Sequence, residues 1–169
     1  MTVRLEASSD RQASLEVERA AFGRPLEAAI AEAVRDEPGS FAFVADDRGE
    51  VVGHVQMSRA WVGEAAVLAL GPIGVSPDHQ GKGIGSSLVR AALEEARRLD
   101  ETAVILLGDP AYYGRFGFVP ASRYGLRSPF AGTEEEISEI EAEAFQIAPV
   151  DEEQAERLAG DVRWHAAFG

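Results

Sequence analysis

The 169-residue chain contains no cysteine. It therefore has no disulfide framework, no thiolate nucleophile and no cysteine-based zinc site, and we expect no bound metal. It also lacks an apolar run of the roughly 20 residues that a membrane-spanning helix needs. Residues 1–6 show no basic-then-apolar signal pattern. These absences predict a cytoplasmic protein without a membrane partner, and the length predicts a single domain over residues 1–169.

Basic residues are also scarce. The chain has 16 Lys and Arg against 29 Asp and Glu, which gives a net charge of −13. A field of this sign repels nucleic acid and attracts cationic molecules such as protonated amines. We therefore expect no nucleic-acid partner. Solubility alone also accounts for such a charge, so the charge supports an amine substrate without deciding it.

The sequence contains a mixture of helical and strand patterns. The predicted elements are, in order, a strand at 3–7, helices at 10–23 and 25–34, strands at 41–46, 51–57 and 67–75, a helix at 83–99, a strand at 102–107, a short helix at 111–116 and a strand that begins at Phe118. Pro72 lies inside the strand at 67–75. Because proline cannot donate to a sheet, we expect a bulge or a split between strands at that point.

The pattern is weaker beyond Pro120. It predicts an acidic helix from Thr133 to about Ala142 and a strand at 144–150. The last residues carry Trp164 and Phe168, so we expect this segment to pack on the body of the protein.

The most informative segment lies around residue 80, where an apolar strand runs into a loop with alternating glycines and a helix follows at once. Glycines let backbone N–H groups converge on an anion without a side chain in the way. The helix adds its unpaired N–H groups and the positive end of its dipole. This order predicts a pocket for a phosphate chain, formed by the backbone of Gly81, Lys82, Gly83, Ile84, Gly85 and Ser86.

Two common phosphate motifs do not fit this loop. A Walker P-loop needs Ser or Thr after its lysine, but Gly83 follows Lys82. A dinucleotide fingerprint needs a different spacing of the last glycine, and it starts directly after the strand, whereas residues 77–80 intervene here. An ordinary glycine-rich turn that caps a helix is a third alternative.

Gln80-Gly81-Lys82-Gly83-Ile84-Gly85 matches the pattern Gln/Arg-x-x-Gly-x-Gly/Ala and resembles the signature of the GNAT superfamily of N-acetyltransferases. Downstream, residues 112–118 resemble the aromatic-Tyr-x-x-x-Gly-Phe segment of that family, with Tyr113 at its tyrosine. The resemblance is clearest over residues 41–120, and residues 121–169 are expected to form an extension packed on the same domain. Residues 108–113 resemble a bacterial group of predicted acetyltransferases with no settled substrate.

The resemblance implies an α/β fold with a central mixed, mostly antiparallel sheet, flanked by helices and split between the fourth and fifth strands. It also implies that acetyl-CoA binds in the gap as cosubstrate. Backbone groups of the strand would pair with the pantetheine arm, and the loop would bind the pyrophosphate. The residues implied in coenzyme binding are Ile73, Gly74, Val75, Gln80, Gly81, Lys82, Gly83, Ile84, Gly85 and Ser86. A solvated loop residue is the alternative for Lys82.

The catalytic groups are only partly indicated. Tyr113 matches the family's tyrosine and can protonate the leaving thiolate, although a core aromatic is the alternative. Many members carry a base glutamate on the fourth strand, where this chain has only apolar residues at 67–70. Glu64, His54, His79 or a water relay are left as options for the base. The family's asparagine after the fifth strand is also replaced, by residues 108–110.

The sequence favours an acetyl-CoA-dependent N-acetyltransferase in which a primary amine of a small molecule or a protein attacks the thioester directly. A non-catalytic acyl-CoA-binding sensor or assembly module is the alternative, since the family's glutamate and asparagine are missing. An acyltransferase for aminoacyl-tRNA is a third option, which the acidic charge argues against. A homodimer remains open.

Overall fold

The computed structural model describes residues 1–129 and 143–169, so the predicted acidic helix from Thr133 to Ala142 lies outside the described residues. The chain forms two compact units. The first consists of Met1–Ser58, Leu70–Glu95 and His165–Gly169, and the second of Arg59–Ala69 and Ala96–Trp164.

The first unit combines antiparallel strands with two helices. Strand β1 (Thr2–Leu5) pairs with β2 (Phe41–Asp47), and β2 pairs with β3 (Glu50–Val62). Helix α1 (Arg11–Phe22) ends at Gly23, whose φ of 67° gives the left-handed turn that glycine adopts without strain. Helix α2 (Leu26–Val34) packs on α1, and both helices begin and end close to their predicted bounds.

Strands β3 and β4 (Ala65–Val75) contribute residues to both units. Within the second unit, β4 pairs in parallel with β5 (Ala103–Leu107), joining Leu68 to Val104 and Ala69 to Ile105. Strand β4 then continues through Pro72 without interruption. Because Pro72 lies beyond the residues that pair with β5, its missing N–H removes no hydrogen bond from that pairing. This arrangement agrees with the predicted split between the fourth and fifth strands.

Helix α3 (Ile84–Arg98) follows the glycine loop and buries the apolar stripe that the sequence predicts. Within the first unit its beginning packs on β3 at Gly53. A Cβ at that position would lie 2.9 Å from Ile84 Cγ2 and 3.0 Å from Leu88 Cδ1. The predicted helix at 83–99 is one residue too long at each end, because the helix begins at Ile84 and ends at Arg98, and Leu99 is exposed.

The second unit is built around β5. Strand β5 pairs antiparallel with β8 (Phe145–Pro149), and β8 pairs with β6 (Val119–Pro120). The remaining elements are β7 (Leu126–Arg127), β9 (Gly160–Arg163), α4 (Pro110–Tyr113) and α5 (Glu152–Ala155), together with 3-10 turns at Gly114–Phe116 and Ala121–Tyr124. Strand β9 pairs in parallel with β7 and antiparallel with the end of β3.

The fold is therefore α/β with a mostly antiparallel open sheet flanked by helices, as predicted. The packing expected of the C-terminal segment is also found. Trp164 is buried, its Nε1 donates to Ser128 Oγ at 3.0 Å, and the 3-10 turn Ala166–Phe168 contacts α2. Across residues 1–129 and 143–169, no helix is long and apolar enough to cross a membrane.

Candidate functional site

Two glycines of the loop have backbone angles that favour glycine. Gly81 and Gly83 have φ angles of 74° and 81°, in the left-handed region where other residues are strained. A Cβ at either position would meet no other protein atom within 4 Å, so within the protein it is the backbone angle that favours glycine. Helix α3 begins directly afterwards at Ile84. The amides of Ile84 and Gly85 lie in its first turn, where N–H groups have no intrahelical acceptor and can bind an anion.

Hydrogen bonds hold this loop close to the end of β4. Gln80 Nε2 donates to the carbonyl oxygen of Val75 at 3.0 Å, and the Ser76 amide donates to Val52 of β3 at 2.9 Å. Lys82 Nζ donates to the carbonyl oxygen of Asp78 at 3.2 Å, so its ammonium lies over the loop. The structure thus brings the strand end and the loop together within the first unit.

Gly74 of β4 lies under helix α1. A Cβ on Gly74 would lie 2.7 Å from Glu18 Oε2 and 3.0 Å from Ala21 Cβ, so no larger residue fits there without a shift. The sequence analysis did not identify Glu18. The available signal was its spacing, since Leu15, Glu18 and Phe22 fall on one face of α1 and place a carboxylate on an apolar stripe.

Glu18 forms a buried pair with His54 of β3. Neither side chain is exposed, and Glu18 Oε1 lies 2.6 Å from His54 Nδ1. Burial raises the pKa of Glu18, while the hydrogen bond and charge of His54 act in the opposite direction. On the other side of the imidazole, His54 Nε2 lies 3.8 Å from Glu6 Oε1. The sequence named His54 as one option for a base, and the structure supplies its partner.

Glu64 and His79, the other two options for a base, lie elsewhere. Glu64 is exposed in the turn between β3 and β4, in the second unit. His79 ends the 3-10 turn Pro77–His79 that precedes the glycine loop.

Tyr113 lies at the end of α4 in the second unit. Its ring packs edge-to-face on Phe118 at 5.8 Å and on Tyr112 at 4.9 Å. A Cβ on Gly108 would lie only 2.4 Å from Tyr113 Cε2, so glycine makes room for the ring. Burial, with a smaller contribution from Tyr112, raises the pKa of Tyr113 to about 12. The hydroxyl therefore stays protonated at neutral pH and can donate a proton but cannot act as a base.

The residues that replace the family's asparagine have a local role in positioning this tyrosine. Asp109 caps α4 by accepting the Ala111 amide at 2.9 Å, and Pro110 is the first helical residue.

The predicted site residues divide between the two units. All predicted coenzyme residues belong to the first unit and Tyr113 belongs to the second. A cleft of about 510 Å³ in the second unit is lined by other residues, namely Val119, Arg123, Tyr124, Glu152 and Glu156. Within the described part of the chain, no three His, Asp or Glu side chains are grouped so as to hold a metal ion.

Comparison with known proteins relates this geometry to a family. The model of the Acetyltransferase (GNAT) family matches residues 8–118. The chain is 30% identical to the uncharacterized N-acetyltransferase YhbS of Escherichia coli strain K12, covering 99% of this chain and 98% of that protein. It is 34% identical to the uncharacterized N-acetyltransferase YjhQ of the same strain, covering 79% and 78% of the two chains.

Solved structures agree with this match. The crystal structure of Escherichia coli YhbS in complex with CoA superposes with a TM-score of 0.86 at 28% identity, covering 99% of this chain and 91% of that one. An acetyltransferase from Brucella melitensis in complex with acetyl-CoA superposes with a TM-score of 0.76 at 29% identity, covering 99% and 97%. From the family match and these relatives, the chain belongs to the acetyltransferase (GNAT) family and is an acyltransferase.

Proposed function

We propose that this chain transfers the acetyl group of acetyl-CoA to a primary amine of a small molecule or a protein, by direct attack of the amine on the thioester. The glycine loop that leads into α3 carries the proposal. The left-handed conformation of Gly81 and Gly83 and the start of the helix directly after them suit a pyrophosphate. The CoA and acetyl-CoA complexes of the two similar structures support it.

In this proposal, the coenzyme's pyrophosphate lies on the backbone N–H groups of residues 81–86, and Lys82 adds a positive charge. The backbone of Ile73, Gly74 and Val75 pairs with the amides of the pantetheine arm, as an added strand would. Gln80 keeps the loop close to the strand through its hydrogen bond to Val75.

The chemical step needs a neutral amine, a donor for the developing oxyanion and a proton for the leaving thiolate. A backbone N–H near Ile73 is proposed to stabilise the oxyanion. Tyr113, whose pKa is raised to about 12, holds its proton until the C–S bond breaks. It then donates to the developing thiolate and recovers a proton from the solvent.

Coenzyme binding is tested by Gly83→Asp, which places a carboxylate where the phosphates are proposed to bind. Gly63→Asp is the matched control, since Gly63 also has a positive φ and open space around it but lies outside the loop. We expect calorimetry to show lost acetyl-CoA binding for Gly83→Asp only, with both variants folded by circular dichroism. Unchanged affinity of Gly83→Asp would contradict the assignment of the loop.

Turnover is tested by a thiol-release assay of the unmodified protein against a panel of primary amines. Release that depends on the amine supports the proposed reaction. Tight acetyl-CoA binding without release for any amine would favour the acyl-CoA sensor instead.

A further inference from the structure

Glu18 carries a carboxylate that lies deep in the first unit, and only one of its two oxygens is hydrogen-bonded. Glu18 and His54 are both fully buried, and Glu18 Oε1 is held by His54. The other oxygen, Oε2, is buried and has no hydrogen-bond partner among the described residues. Burying a carboxylate in this way costs free energy, because the charge loses its hydration.

The unpartnered oxygen lies against the strand that is proposed to hold the coenzyme. Glu18 Oε2 would be 2.7 Å from a Cβ on Gly74, so it is in contact with the backbone of β4 at that residue. Any side chain at position 74 would push the carboxylate away. Gly74 therefore leaves Glu18 adjacent to the proposed binding strand of the acyl-pantetheine arm, where residues 67–70 of the same strand offer no acidic group.

We propose that Glu18 accepts the proton that the attacking amine loses, and that His54 positions the Glu18 carboxylate for this step. The inference rests on the proposed acetyl transfer. It assigns the base that the family pattern leaves unassigned in this chain, and it gives the buried pair a chemical role.

The ammonium form of the amine first loses one proton to the solvent, because only the neutral amine can attack. As the C–N bond forms, Glu18 takes a second proton from the nitrogen, and the C–S electrons leave with the sulfur, which Tyr113 protonates. Glu18 then releases its proton to the solvent and Tyr113 regains one, so the net transfer is one proton from nitrogen to sulfur. On the side of the imidazole away from Glu18, His54 Nε2 lies 3.8 Å from Glu6 Oε1, which is too long for a hydrogen bond. Glu6 also lines a cavity of about 250 Å³.

The charges around the pair suit a proton acceptor. Burial raises the pKa of Glu18, the largest effect, and makes the carboxylate a stronger base once it is ionised. His54 opposes this shift, and Glu27 of α2 adds to it, although Glu27 is itself paired with Arg24. On the far side of His54, Glu6 lies 3.6 Å from Arg35 Nη2, whose side chain is almost fully buried.

The first test replaces Glu18 by Gln, which keeps the shape and an acceptor for His54 but cannot take a proton. We expect kcat to fall by about 10²–10⁴-fold, while the Kd of acetyl-CoA from calorimetry stays within about two-fold. Glu101→Gln is the matched control, since Glu101 is a buried carboxylate paired with Arg59 in the second unit. It removes a comparable buried charge pair and should leave kcat within about three-fold.

The second test is the pH profile of kcat, measured with a weakly basic aromatic amine so that the acceptor itself does not titrate. In the unmodified protein the rate should fall as pH drops through the raised pKa of Glu18. In His54→Gln this fall in kcat should occur at a higher pH, because His54 lowers the pKa of Glu18. If the pair were purely structural, the substitution would change the melting temperature but not the pH at which kcat falls.

The outcomes separate this inference from the proposed function. If the unmodified protein acetylates amines and folded Glu18→Gln does so at an unchanged rate, Glu18 is not the base. If Glu18→Gln does not fold, Glu18→Asp takes its place, since it keeps the charge but withdraws it from Gly74. Unchanged kcat in that variant would also overturn the inference. Absence of any acetyl transfer by the unmodified protein would instead refute the proposed function.

Discussion

At the scale of single residues, small residues position the reactive side chains. Gly74 leaves space for the carboxylate of Glu18, and Gly108 leaves space for the ring of Tyr113. Neither glycine has the left-handed backbone angle that explains Gly83, so their role is steric. A motif search that looks for reactive groups alone therefore misses residues that decide where those groups lie.

Tyr113→Phe should lower turnover far more than it weakens coenzyme binding. The ring and its packing on Phe118 remain, whereas the proton donor is lost. A general acid contributes about 10²–10⁴-fold to the rate, so we expect a loss of kcat in that range at unchanged Kd for acetyl-CoA. The neighbouring Tyr112→Phe is the control. If Tyr113→Phe turns over within a few-fold of the parent, the tyrosine is a packing residue.

Lys82 is the only lysine in the chain, which makes its role directly measurable. We expect Lys82→Ala to weaken acetyl-CoA binding by roughly ten-fold at low salt and by less at high salt, since salt screens exposed charges. In the unmodified protein, bound CoA should also protect Lys82 from an amine-reactive label, as read by mass spectrometry. Arg48→Ala, which removes an exposed charge from the β2–β3 turn, should leave the affinity unchanged. Full labelling at saturating CoA would show a solvated lysine.

At the scale of elements, the start of α3 is positioned by its packing on β3. Ile84 and Leu88 lie close to Gly53, so this contact fixes the distance between the first turn of the helix and the strand. The amides that are proposed to bind the pyrophosphate belong to that same turn. Packing in the core of the first unit and geometry of the proposed pyrophosphate site are thus coupled through one helix.

Gly53→Ala should therefore affect both stability and coenzyme binding. The added methyl would lie 2.9 Å from Ile84 Cγ2, and overpacking of this kind costs about 1–3 kcal/mol of unfolding free energy. We expect a lower melting temperature and a weaker affinity for acetyl-CoA. Gly114→Ala is the control, because its added Cβ meets nothing within 4 Å. An affinity that is unchanged in Gly53→Ala would separate the helix position from the binding site.

At the scale of the whole molecule, the net charge of −13 acts on the approach of substrates. We expect kcat/KM for a cationic amine to fall by roughly two- to ten-fold from low to high salt, because salt screens the long-range attraction. A neutral aromatic amine is the matched control and should show little salt dependence. Equal salt dependence of both amines would contradict electrostatic steering.

The net charge of −13 should also prevent tight binding of RNA. We expect no tight binding in a tRNA titration at low salt. Tight, salt-sensitive binding would overturn the charge argument and favour an aminoacyl-tRNA acceptor. A single domain over residues 1–169 and a cytoplasmic location stay predictions, and a homodimer stays open.

The sequence by itself did not indicate the short elements β7, α5 and β9, but it determined the order of the elements from β1 to α4, the glycine loop and the family pattern. These features are local: apolar periodicity sets α1 and α3, and positive φ angles at Gly81 and Gly83 require glycine wherever the loop is placed. Tyr113 was identified by the resemblance of its segment to that of the family, and its catalytic role stays a prediction.

Only the tertiary structure decided that Glu18, His54 and Gly74 meet. They come from α1, β3 and β4, and each looks ordinary in its own segment: a helical glutamate, a strand histidine and a strand glycine. Burial and the shift in the pKa of Glu18 arise from neighbours distant in the chain, so local spacing cannot reveal them. For that physical reason the sequence did not reveal the proposed base, although its glycine pattern did indicate the loop that is proposed to bind the coenzyme.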